Sequence, residues 1–116
     1  MYMNNRDNQI LSKILVEITI LENIVISYSF EQFDRDEKTK RAVCMTLINI
    51  GELVKNLTGE FKSQHTEIPW RAIAGMRDIT AHKYQTLRME DVWLTVNKDI
   101  PLFKSKVSDI FKSRSK

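Results

Sequence analysis

The sequence predicts an all-α fold, an antiparallel bundle of four main helices joined by short helical turns. Three observations carry that reading. Apolar residues recur at steps of three and four over the long stretches, capping residues punctuate the joins between them, and no run of useful length alternates apolar and polar residues as a half-buried strand would. At 116 residues and 42% hydrophobic content the chain suffices for one domain with a core and is too short for two, so residues 1–116 are read as a single domain.

The first long stretch places Ile10, Ile14, Ile18, Leu21, Val25 and Tyr28 on one stripe, with Glu17 and Glu22 off it, which predicts an amphipathic helix over residues 7–28. Lys13, Glu17 and Glu22 interrupt its apolar run, so it reads as neither a signal peptide nor a membrane span; the expectation is a cytoplasmic protein with no membrane partner. Ser29 followed by Gln32 forms a capping box for a short helix, and Asp34 or Asp36 caps the helix after it. A second long helix runs through Val43, Leu47, Ile50, Val54 and Leu57 and is expected to stop at Gly59. Gly51 lies inside it at a cost of about 1 kcal/mol relative to alanine, which points to a close backbone approach, most simply from tight helix packing.

A short helical turn is expected around "EFKSQH", with His65 in an exposed connecting loop as a surface histidine. "EIPW" then puts Pro69 in the first turn of a third main helix, "PWRAIAGMRDITA". After "QTLR", Val92, Val96, Ile100, Phe103, Val107 and Ile110 return at helical spacing, and Pro101 should kink or restart this last helix.

Composition narrows the chemistry. One cysteine and two histidines make no all-protein zinc set, and no Gly-rich run could cradle phosphates, so the expected site uses ordinary side chains, with neither metal nor cofactor. Cys44, between Val43 and Met45, reads as a small buried hydrophobe. Residues 98–116 carry six Lys/Arg against Asp99 and Asp109, a local charge of +4, and the first 97 residues are left at −1. A basic end is the ordinary form of a solvated helix terminus and also a way to attract an RNA backbone.

The densest concentration of reactive side chains is "RDITAHKY", residues 77–84. On one continuous helix Asp78 and His82, four apart, would share a face, and the carboxylate could fix the imidazole tautomer. Arg77 and His82, five apart, would point about 140° away from each other. A joint site therefore needs the helix to unwind near His82, or a second copy of the chain facing the first. Gly75 has no side chain to keep such a neighbour away. The cluster has two readings. One is a solvated polar helix end whose cations complement the macrodipole. The other is a phosphodiester site in which an imidazole moves the proton of a ribose 2′-hydroxyl and a guanidinium stabilises charge on the phosphate, cutting RNA and sparing DNA.

The same residues resemble the R-x-x-x-x-H-x-Y signature of HepT-type proteins of the HEPN superfamily, and "SFEQFDRDEKTKRAV", "LINIGELVKNL", "EIPWRAIAGMRDITAHKY" and "VWLTVNKDIPLF" extend the likeness over most of the chain. The resemblance implies a helical bundle that dimerises with two motifs facing across a cleft, and a metal-independent endoribonuclease acting on tRNA or mRNA, the toxin of a type VII toxin–antitoxin pair. It implies Arg77 and His82 as the catalytic pair, Asp78 in support, and Tyr84 as the tyrosine adenylylated by a minimal nucleotidyltransferase antitoxin of the MntA type. Lys83, Lys104 and Lys106 are candidate contacts to the RNA backbone. Asp78 stands where asparagine is common in the family, and Arg88 where an acidic or polar helix cap is usual. The alternative is a non-catalytic helical module that only binds a nucleotidyltransferase.

Overall fold

The computed structural model describes residues 5–79 and 81–114, with the backbone alone for Ala81 and His82. Every regular element among the described residues is helical: α1 (Asn5–Val25), α2 (Phe30–Arg35), α3 (Glu37–Lys55), α4 (Gly59–Gln64), α5 (Trp70–Ala74), a 3₁₀ turn (Gly75–Asp78), α6 (Ala81–Thr86), α7 (Met89–Leu94), a π-helical segment (Thr95–Asp99) and α8 (Ile100–Arg114). Cross-links between the long helices fix their directions. Asp7 bonds Thr58 at one end of the α1–α3 pair and Glu17 bonds Asn49 further along, so α3 runs antiparallel to α1. Asn8 meets Arg114 and Glu22 meets Lys104, so α8 does the same.

The core is the apolar stripe of each long helix: Leu11, Ile14 and Ile18 from α1, Val43, Leu47, Ile50 and Val54 from α3, and Ile100, Phe103 and Val107 from α8. Every apolar position expected on α3 and on the last helix is buried. Asp7 is buried too; it accepts from the Thr58 backbone N–H at 2.9 Å and from its hydroxyl at 2.7 Å. That carboxylate joins the start of α1 to the cap of α4.

Local chemistry sets most joins as expected. Ser29 and Gln32 make both halves of a capping box, and Asp36 accepts from the Thr39 N–H to open α3. Other joins differ. The first helix stops at Val25, short of Tyr28, because the chain turns through Ser27 at φ 67°; the Tyr28 hydroxyl instead bonds Asp36 at 3.1 Å. Gly59 does not end the second long helix. α3 closes at Asn56, Thr58 caps the next helix by accepting from Phe61, and Gly59 is the first residue of α4. His65 is half-buried rather than exposed, its ring 4.7 Å from that of Phe61.

The third of the four expected main helices is the main correction. It is a five-residue α5, a 3₁₀ turn, a break at Ile79 (φ −71°, ψ 100°) and a six-residue α6. Glycine followed by the poor helix formers of "DIT" explains why the segment does not hold one helix. Pro101 acts on the last helix as expected of a residue without an N–H: the backbone widens to a π turn over Thr95–Asp99 just before it. No described helix is long and apolar enough to cross a membrane.

Candidate functional site

The element that carries Arg77 is anchored at both ends. At its start, the Trp70 indole N–H donates to the carbonyls of His65 at 2.9 Å and Lys62 at 3.2 Å, and its ring packs edge-on against Phe103. At its end, the 3₁₀ turn lies directly on α3 at Gly51. A Cβ there would stand 2.6 Å from the Arg77 backbone nitrogen, 3.0 Å from the Ala74 oxygen and 3.2 Å from the Ile73 oxygen. The close approach implied by Gly51 is therefore made by the Arg77 turn itself. Gly75, by contrast, faces open space, with nothing within 4 Å of where a Cβ would stand.

From this turn the Arg77 side chain extends to the surface, its guanidinium 3.8 Å from the Asp78 carboxylate. Both are well exposed, so the pair is weak and leaves the guanidinium available. The break at Ile79 separates Asp78 from α6, so Asp78 and His82 do not share one continuous helix face as expected. The same break removes the 140° constraint that an unbroken helix would place between Arg77 and His82. His82 lies in α6; its side chain is outside the described residues.

Tyr84 follows two residues further along α6. Its half-buried ring packs toward the core, and its hydroxyl donates to the Glu37 carboxylate at 2.7 Å, in the first turn of α3. The Arg41 guanidinium sits 5.0 Å over the ring and bonds the same carboxylate at 2.8 Å, while the Lys40 ammonium lies 3.5 Å from the other oxygen. Burial, then the bond to Glu37, pushes the phenol up to about 12, so it stays a protonated donor; the Tyr84 hydroxyl in turn holds Glu37 below the usual carboxylate range. Sequence reasoning does not reach Glu37 and Arg41. Their spacing of four marks a helical ion pair, but nothing local ties them to a tyrosine 47 positions away.

The remaining candidates are scattered. Lys83 is an exposed residue of α6. Lys104 on α8 is held 3.0 Å from both Glu22 carboxylate oxygens, and Lys106 donates to the Glu67 carbonyl at 3.2 Å. Arg88 caps α7 without a side-chain bond, and Glu90 and Asp91 in the first turn supply the negative charge a cap residue would have brought. Cys44 is buried, and burial raises its thiol to about 11, which makes it inert at neutral pH.

A small helical bundle presenting an arginine on a tight turn, a histidine on the next short helix and a tyrosine two residues on defines a class built around the R-x-x-x-x-H-x-Y element. The chain belongs to the HepT-like ribonuclease family: residues 14–110 match the model described as "Ribonuclease HepT-like". It is 41% identical over 100 residues to "Putative RNase TTE0752" of Caldanaerobacter subterraneus subsp. tengcongensis, covering 86% of this chain and 89% of that one. It is 38% identical over 110 residues to "Probable ribonuclease HepT" of Thermococcus cleftensis, covering 95% of this chain and all of the relative. A further relative, "Putative RNase MJ0127" of Methanocaldococcus jannaschii, is 34% identical over 99 residues, 80% of this chain and 82% of that protein. No solved structure matches the chain.

Proposed function

We propose that this protein is a metal-independent endoribonuclease that cuts tRNA or mRNA in the cytoplasm as a homodimer, the toxin of a type VII pair. The observation that carries the reading is the break at Ile79, which frees Arg77 and His82 from the opposed directions of a single helix while the turn beneath Arg77 stays fixed on Gly51. Family membership supplies the substrate class.

In this mechanism the His82 imidazole removes the ribose 2′-hydroxyl proton, the oxygen attacks the adjacent phosphorus, and the bond from phosphorus to the 5′-oxygen breaks. The departing oxygen takes a proton from the second subunit's imidazole. Arg77 stabilises the charge that builds on the phosphate, with Asp78 beside it in support. Lys83, Lys104 and Lys106 meet the RNA backbone. The exposed Lys104–Glu22 pair is worth at most about 1 kcal/mol, so a phosphate can displace Glu22.

Dimerisation is supported by apolar surface left uncovered. Leu94 and Leu102 are more than half exposed, and Leu102 borders a groove of about 310 Å³ with Ala72, Ile73, Met76 and Phe103, beside the Arg77 turn. Control is exerted at Tyr84. A minimal nucleotidyltransferase of the MntA type joins the Tyr84 oxygen to the α-phosphorus of ATP; pyrophosphate leaves and the phenolic proton passes to Glu37, which already accepts its hydrogen bond.

Native mass spectrometry tests the assembly and the modification together. Protein expressed alone should fly as a dimer, and protein coexpressed with a minimal nucleotidyltransferase of the MntA type should gain AMP at Tyr84 and lose ribonuclease activity. A monomer that cleaves RNA would overturn the shared cleft, and inhibition without mass gain would make the antitoxin a binding inhibitor.

A further inference from the structure

We infer that Glu37 and Arg41 latch α6 through Tyr84 and thereby act as positioning residues for His82. The functional half of this inference rests on the ribonuclease reading; the structural half does not. A helix of six residues has no stability of its own and takes its place from tertiary contacts. α6 is bounded by the break at Ile79 and by two non-helical residues, Leu87 and Arg88. Among its described side chains Lys83, Gln85 and Thr86 are exposed, and Tyr84 is the one packed against the core. Leu87, just past the helix, holds its end to the same core. Tyr84 sets its rotation.

The receiving side of the latch is rigid. Glu37 begins a 19-residue helix capped by Asp36, at the end where the macrodipole favours a carboxylate. Arg41, one turn on, grips that carboxylate and covers the tyrosine ring, so hydroxyl and ring are held by one pair of residues. His82 lies two positions before Tyr84 in the same short helix and moves with it. An AMP group on the Tyr84 oxygen would remove the donor hydrogen and set a phosphodiester charge against Glu37. Modification would then displace the histidine's helix.

Glu37→Ala, Glu37→Gln and Tyr84→Phe, each purified without any partner, test the latch by hydrogen exchange and by cleavage of total tRNA in EDTA. Losing a charge-assisted bond should speed exchange of the α6 amides by about tenfold or more in Glu37→Ala and Tyr84→Phe, with α1 and α8 unchanged. In Glu37→Ala kcat should fall by a similar factor at nearly constant KM, because binding groups are untouched. Glu37→Gln keeps an oxygen that accepts from the phenol and should recover most of both. Parent-like α6 exchange in Glu37→Ala, or a parent-like kcat, overturns the latch. A parent protein that cleaves no RNA would remove the ribonuclease reading alone, and exchange would still decide the latch.

Discussion

Replacing His82 with alanine should lower RNA cleavage by about 10²–10⁴-fold, the range that general acid–base help commonly contributes, while the helical content persists. Arg77→Ala should do comparable damage, because about 3–4 kcal/mol of stabilisation of the reacting phosphate goes with one well-aimed donor. Arg77 is exposed on its turn and bonded only weakly to Asp78, so its removal leaves no buried group unpaired. Both variants should melt close to the parent. Single-turnover rates on the same RNA give the comparison, and a variant at either position that cuts at the parental rate would show the pair to be misassigned.

Gly51→Ala should produce the next largest loss, from a residue that need never touch RNA. The added methyl would overlap the backbone nitrogen of Arg77, which is main chain and cannot rotate aside, so the 3₁₀ turn has to move. Overpacking of this kind costs about 1–3 kcal/mol, and the better helix propensity of alanine offsets about 1 of that, so the protein should stay folded. A catalytic group displaced by about 1 Å can nonetheless cost on the order of 10²-fold in rate. The expected result is a kcat reduced by about 10–10²-fold with a melting temperature lowered by only a few degrees. If Gly51→Ala keeps full activity, the seat of Arg77 on α3 does not matter for the reaction.

Periodicity alone makes the long helices legible, because residues such as Ile14, Ile50 and Phe103 bury one face of a regular element and the spacing records it. The caps at Ser29 and Asp36 are legible for the same local reason. Gly51 announces a close approach, but the approaching turn comes from 26 residues further along the chain, and no local pattern states that. The break at Ile79 is hidden because the apolar residues Ile73 and Met76 continue a helical spacing while the backbone tightens to 3₁₀. Gly59 has the look of a stop, yet Thr58, one residue earlier, has a hydroxyl to start a new helix. The motif residues are legible as a set; the partner of Tyr84 is not, since Glu37 and Arg41 reach it only through the tertiary fold.

Cleavage by this chain's side chains through the RNA's own 2′-hydroxyl is the step on which the proposed function rests. It is tested most directly by the ends of the fragments that the purified protein releases from tRNA in EDTA, read by mass spectrometry beside a substrate with a single 2′-deoxy position at the cleavage site. The expected result is 2′,3′-cyclic phosphate and 5′-hydroxyl ends, undiminished by chelation, and no cut at the deoxy position. Fragments with 5′-phosphate ends, cleavage at the deoxy nucleotide, or activity that EDTA abolishes would contradict it.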